Sequence, residues 1–97
     1  MTYIFDIDNT ICKTKGSDYV NAIPINKRIK KVNQLHYLGH IIILKTCRGA
    51  TSGIDWESLT RKQLQDWGIK YHKLLMWKVF YDKIIDDRAE NSDSFFR

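Results

Sequence analysis

The chain has 97 residues, of which 43% are hydrophobic, and carries a formal net charge of +5. This length predicts one domain over residues 1–97, and no apolar run approaches the roughly 18 residues of a membrane-spanning helix, so no membrane association is expected. The cysteines, Cys12 and Cys47, fit neither a zinc spacing nor a disulfide framework, and acids by position 6 argue against a signal peptide. We therefore expect a protein of the reducing cytoplasm.

The first predicted element is a buried strand over roughly residues 2–7, which ends in Asp6 and Asp8 and is followed by Thr10. The strand period of two would place both acids on one side if the chain stayed extended. Two such close carboxylates repel unless a cation or a proton lies between them, and Mg²⁺ is a hard ion that prefers oxygen ligands. A polar turn after a strand is the alternative explanation of these residues.

A polar segment over residues 9–22 follows, and residues 10–13 could pair with residues 18–21 as a small hairpin flap. Pro24 suits the first turn of a helix, and Gly39 suits its C-terminal cap. Between them the apolar residues recur at spacings of three and four: Ile25, Ile29, Val32, Leu35 and Leu38.

Four basic side chains lie largely off this apolar stripe: Lys27, Arg28, Lys30 and Lys31. A solvated helix face explains them better than a nucleic-acid patch, although the basic net charge would help to attract an anionic substrate.

The second predicted strand, residues 41–44, is too short and too rich in β-branched residues for a helix. It leads to Thr46, Arg48 and Gly49. A loop over residues 48–55 precedes a second helix that begins near Asp55 and ends at Gly68.

A third strand is predicted around residues 74–76, and a fourth over residues 83–86 ends in Asp86 and Asp87, with Lys78 in the loop before it. Strands that alternate with helices imply a parallel sheet with right-handed crossovers. Ligands of such sheets bind beyond the carboxyl ends of the strands, where these polar residues are expected.

Taken in order, four motifs of this chain resemble those of the haloacid dehalogenase (HAD) superfamily of phosphohydrolases. They are Asp6-Ile-Asp8-Asn-Thr10, then Thr46 after an apolar run, then Lys78, then Asp86-Asp87. The sequences around Thr46-Cys-Arg48-Gly49 and over residues 77–89 are similar to those of small cap-less members associated with capsule or surface polysaccharide synthesis.

The resemblance implies a single Rossmann-like α/β domain of three layers, with a parallel sheet of about four strands in the order 3-2-1-4. It also implies a small flap after strand one and no cap domain. Strands one and four would then lie side by side, so that Asp6, Asp8 and Asp86 meet at one Mg²⁺ ion.

The resemblance further implies a Mg²⁺-dependent phosphomonoester hydrolase. Asp6 would be the nucleophile that forms an aspartyl-phosphate, and Asp8 the general acid and then the general base, with its main-chain carbonyl on the metal. Asp86 would supply the second metal carboxylate. Asp87 would be either a water-bridged metal ligand or a partner of Lys78.

Phosphate binding falls to Thr46 and Lys78 in this scheme, and Arg48 would hold a second anionic group or the non-reacting part of the substrate. Each has a rival explanation, since Thr46 could cap its own turn, and Lys73 and Lys83 compete with Lys78.

Two positions depart from the family pattern. Asn9 stands where a glycine is usual, although asparagine tolerates left-handed backbone better than most residues. Val79 stands where a proline often follows the lysine, which would loosen the loop that carries Lys78.

Three functions compete at this stage. The first is hydrolysis of a phosphorylated small molecule, with a sugar phosphate as one candidate, in an open site that a homo-oligomer would shield. The second is removal of phosphate from nucleic-acid ends or another macromolecule, which the charge of +5 supports more weakly. The third is a non-catalytic phosphate-binding accessory protein.

Overall fold

The computed structural model describes all 97 residues. In chain order the elements are β1 (Thr2–Asp6), β2 (Cys12–Lys13), a 3-10 helix (Tyr19–Asn21), β3 (Ile23–Pro24), α1 (Asn26–Tyr37), β4 (Ile41–Thr46), α2 (Glu57–Trp67), β5 (Lys73–Met76) and α3 (Ser92–Phe95).

Three parallel strands form the main sheet, in the order β1-β4-β5. The register pairs Asp6 with Lys45 and Leu44 with Leu74, so the carboxyl ends of β1 and β4 lie at one edge. This confirms the first three predicted strands and their parallel pairing in an α/β fold, with which an open Rossmann-like arrangement is compatible. β1, β4 and β5 are the first, second and third predicted strands, so the second lies between the other two.

The core covers only one face of this sheet. Phe5 and Leu44 point to that face, and they share one cluster of buried residues with Ile29 of α1 and Leu64 of α2. On the opposite face Ile4 is 59% exposed. The fold therefore has two layers where three were expected, because the chain forms no further helix between β5 and α3 to cover the second face.

The predicted fourth strand is absent from the sheet, so the expected order 3-2-1-4 is not shown. Residues 83–86 form no ladder, and Ile85 is 95% exposed. A strand on the outer edge of β1 would be three strand spacings, or about 14 Å, away from β5. To run parallel to β1, it would also have to begin at the amino end of the sheet, whereas β5 ends at the carboxyl end. The intervening residues 77–82 reach only about 20 Å when fully extended, so the connection is at its limit.

The flap and the first helix also differ from expectation. The hairpin pairs β2 with β3, as in Cys12 with Pro24, and residues 19–21 form the 3-10 helix instead of a strand. Pro24 lies outside α1 and is tolerated in this edge strand, where it has no ladder hydrogen bond to donate. The amide of Ile25 donates to the Ile11 carbonyl and continues the pairing.

The helix ends follow the sequence more closely. Gly68 has φ 71° and ends α2 in the left-handed conformation, and Gly39, with φ 93°, follows α1. None of the helices is both long and apolar enough to cross a membrane.

Candidate active site

A tight turn directly after β1 sets the position of Asp8. The carbonyl of Ile7 accepts hydrogen bonds from the amides of Thr10, Ile11 and Cys12. Asn9 takes a left-handed φ of 62°, and its side-chain oxygen accepts from the amide of Thr14 at 3.1 Å. The asparagine therefore supports the bend that the sequence pattern requires, in the conformation where a glycine is usual.

Asp6 ends β1 with a partly buried carboxylate that makes no side-chain hydrogen bond. Burial raises the pKa of Asp6 to about 6, while the Lys45 ammonium lowers it and the Asp8 carboxylate raises it further. A carboxylate that is costly to ionise and lacks a strong partner is a candidate for a cation, a proton or a phosphorus atom.

Lys45 is the cation nearest to this carboxylate in the sheet, since it lies opposite Asp6 in the ladder. Its side chain is only 6% exposed. The ammonium donates to the Tyr81 hydroxyl and lies 4.6 Å from the ring centre of Trp77. Lys45 was not among the site residues predicted from the sequence, although a lysine directly after the apolar residues 41–44 was a usable signal.

The carboxylate of Asp8 is turned toward the helix side of the sheet, where Arg48 holds it with two nitrogens. Arg48 Nη2 lies 2.9 Å from Oδ1, and Nε lies 3.0 Å from Oδ2. The hydroxyl of Thr14 donates to Oδ1 at 2.6 Å. This forked ion pair fixes the orientation of Asp8 more tightly than a single point charge would.

Arg48 is itself anchored in the core and is only 1% exposed. Its Nη1 donates to the Thr60 hydroxyl at 3.0 Å and to the Gln63 side-chain oxygen at 2.6 Å. The Gln63 amide in turn donates to the Tyr19 carbonyl at 2.6 Å, which links α2 to the flap. The guanidinium lies 4.7 Å from the Tyr19 ring centre. Arg48 therefore joins the flap, α2 and Asp8, and has little reach toward a substrate.

Thr46 is fully buried at the end of β4, and its hydroxyl accepts from the Arg48 amide at 3.1 Å. It also lies 3.4 Å from Asp8 Oδ2. The hydroxyl thus caps its own turn, as the rival explanation of this residue proposed, while it supports the acid.

Gly49 shapes the loop after β4. Its φ is 83°, and a Cβ at this position would lie 2.1 Å from the carbonyl oxygen of Ile54. Only glycine allows the loop to fold back this closely beside Arg48.

The structure does not bring the remaining predicted residues to Asp6. Lys78 is exposed and makes no hydrogen bond, and Asp86 and Asp87 are exposed in the irregular tail. The amide of Arg88 donates to Asp86 at 2.7 Å and is the largest cause of the lowered pKa of Asp86. No three carboxylate, imidazole or thiol side chains lie together as a metal site.

Two oxygen donors at the end of β1 remain available to a cation. The Asp6 carboxylate lacks a hydrogen-bonding side chain, and its raised pKa shows that a nearby positive charge would be stabilising. The side chain of Asp8 is occupied by Arg48, which leaves its main-chain carbonyl as the second oxygen donor.

The comparisons with known proteins bear on the fold and not on the activity. No protein-family model matches the chain, and no curated protein matches it. A crystal structure of a structural-genomics target from Vibrio cholerae is similar, with a TM-score of 0.85 and 27% sequence identity. The match covers 98% of this chain and 86% of that chain, so the two share their architecture over nearly the whole length.

Proposed function

We propose that the protein is a Mg²⁺-dependent phosphomonoester hydrolase in which Asp6 is the nucleophile. The observation that carries the proposal is the contrast between its two acids. Asp6 has a raised pKa and no side-chain hydrogen-bond partner, whereas the Asp8 carboxylate is held by Arg48 and Thr14. Neighbouring carboxylates in such different environments are typical of sites in which each has its own role, and only Asp6 is left without a side-chain partner to meet a phosphorus atom or a cation.

In the first step an Asp6 oxygen attacks phosphorus and the bond to the leaving oxygen breaks. A pKa of about 6 leaves Asp6 mostly ionised at neutral pH, as a nucleophile must be. To act as the acid, Asp8 must enter this step protonated and released from Arg48, and it then gives its proton to the leaving oxygen and becomes a carboxylate. Lys45 places a positive charge beside Asp6.

In the second step water hydrolyses the aspartyl-phosphate and restores the Asp6 carboxylate. The Asp8 carboxylate, held in position by its ion pair with Arg48, takes the proton from that water and is then protonated for the next cycle. Bound Mg²⁺, held by the Asp6 carboxylate and the Asp8 carbonyl, would offset the repulsion between the carboxylate and the phosphate.

Asp86 and Asp87 enter the proposal through movement of the tail. The outer edge of β1 has no strand beside it, and the exposed residues 83–86 have the composition to add there, in the order 3-2-1-4. Such docking would carry Asp86 toward Asp6 as a further metal ligand. Mg²⁺ would then slow amide hydrogen exchange at Ile84 and Ile85, and unchanged exchange rates would remove the tail from the site.

The substrate proposed here is a phosphorylated small molecule. The test is release of inorganic phosphate from a panel of sugar phosphates, nucleotides and phosphorylated oligonucleotides, with Mg²⁺ and with EDTA. Asp6→Asn should abolish release, and Asp66→Asn, which makes the same change on an exposed face of α2, should not. Equal phosphate release by the two variants would show that Asp6 is not the nucleophile. No phosphate release by the wild-type protein would favour a phosphate-binding accessory protein.

A further inference from the structure

A surface cavity of about 750 Å³ lies between α1 and the C-terminal residues. We call it the basic groove, after the residues that line it and carry the argument: Lys27, Arg28, Lys30, Lys31, Phe96 and Arg97. Arg28 lines the groove and donates to the carbonyl of Thr10 at 3.2 Å, so one end of the groove lies at the turn after β1.

Nothing on α1 balances these charges. The helix contains no acidic residue, and Lys27, Lys30 and Lys31 form no ion pair. The one carboxylate that pairs with a groove residue is Asp93, which lies 2.7 Å from Arg28. A solvated helix face in an ordinary protein usually mixes both signs of charge, as α2 does.

The position of the lysines also works against helix stability. Lys27 and Arg28 lie in the first turn of α1, which has no acidic residue and no side-chain cap. A cation in the first turn opposes the helix dipole and costs about 0.3–1 kcal/mol. Lys27, which forms no ion pair, therefore does not stabilise α1.

The shape of the groove suits a linear anion. Lys27, Lys30, Lys31 and Gln34 follow the spacing of one helix face, over roughly 10 Å. One wall is apolar, but Phe96 packs against the core and the Arg28 guanidinium covers its ring at 4.9 Å, so this wall offers no open ring for a base. The feature that suits single-stranded nucleic acid is the row of cations, which can follow a line of phosphates.

We infer that the basic groove binds single-stranded nucleic acid, without sequence preference, through phosphate contacts to Lys27, Lys30, Lys31 and Arg97. This inference replaces the solvated-face interpretation of α1 and does not depend on the proposed phosphatase activity. Three or four phosphate contacts correspond to weak binding, with a dissociation constant on the order of 10⁻⁵ M at low salt.

The test is fluorescence anisotropy of a labelled single strand of about 10 nucleotides, titrated with the full chain at about 50 mM salt and at higher salt. The groove variant carries Lys27→Gln, Lys30→Gln and Lys31→Gln. The control variant carries the same change at exposed lysines elsewhere: Lys70→Gln, Lys73→Gln and Lys83→Gln. Each triple variant removes three charges from the net +5.

We expect the groove variant to bind at least about tenfold more weakly, with a salt slope lower by about 2, because each lost phosphate contact contributes about 0.7 on a single strand. The control variant should stay within about threefold of wild type, and both should melt at or above the wild-type temperature. Equal losses in the two variants, no binding at low salt, or equally tight binding of polyglutamate would overturn the inference.

Discussion

Replacing Asp6 by asparagine should make the protein more stable at neutral pH. The pKa of this carboxyl rises from an ordinary value of 3.8 to about 6, chiefly because it is buried. Between these two pH values the folded protein keeps a proton that the unfolded chain has released. Wild-type stability therefore falls as the pH rises through this window, and the penalty is constant above about pH 6.

The size of the effect follows from the shift. A difference of about two pKa units corresponds to about 3 kcal/mol at most. Asp6 is partly accessible to water, which screens the charge, so we expect about 1–2 kcal/mol in practice. For a domain of this size that is a rise in melting temperature of roughly 5–10 °C.

Asp8→Asn is the matched comparison, two residues away, and should have the opposite sign. It removes the partner of the buried Arg48 guanidinium, which would then keep an unpaired charge, at a cost of about 2–4 kcal/mol. Both variants are melted in EDTA at pH 7.5 and near pH 4, by circular dichroism.

The gain from Asp6→Asn should shrink near pH 4, where the wild-type Asp6 keeps its proton when folded. A variant that is less stable than wild type at pH 7.5, or a gain of the same size at both pH values, would refute the reasoning. Either result would show that ionisation of the Asp6 carboxyl does not destabilise the folded protein.

Three further changes test the surroundings of the site. Gly49→Ala should cost roughly 2–4 kcal/mol by urea unfolding, because its Cβ would meet a backbone carbonyl, while Gly53→Ala, with similar φ and open space, should cost only about 1 kcal/mol. Similar costs would show that the clash is relieved. Lys45→Met should raise the pKa of Asp6 above about 6 in a carboxyl NMR titration, and a lower or unchanged midpoint would show that Lys45 does not act on it. Asn9→Val should cost about 2 kcal/mol through its left-handed φ and lost hydrogen bond, whereas Asn9→Gly should cost less, and the reverse order would contradict that account.

The sequence predicted those parts of the fold that depend on local pattern. The apolar runs of β1 and β4 and the glycine after α2 are short-range signals, and the structure has the corresponding elements. Asp6 and Asp8 could be placed at the same edge as Thr46 because parallel strands bring their carboxyl ends together.

The contacts that organise the site could not be predicted because they join distant elements. The carboxylate of Asp8 accepts hydrogen bonds from Arg48, which in turn donates to Gln63 in α2. No local sequence pattern specifies these contacts. Lys45 was hidden for a different reason. A charged residue in an apolar run gives no indication of its partner until the ladder sets it opposite Asp6.

The tail shows where pattern alone misleads. The apolar pair Ile84 and Ile85 before two acids predicts a strand, but strand formation also needs a partner edge within reach. In the structure the pair is exposed, and the connection from β5 is only just long enough to reach the outer edge of β1. The residue pattern does not express this constraint on the connection.

The central claim is that Asp6 carries phosphate covalently during turnover, and trapping that adduct tests it most directly. The protein would be mixed with Mg²⁺ and an aryl phosphate, whose good leaving group favours accumulation of the intermediate, then quenched in acid and reduced with borohydride. We predict homoserine at position 6 by mass spectrometry, and none in Asp6→Asn. Phosphate release with an unmodified Asp6, or an adduct at any other residue, would contradict the account.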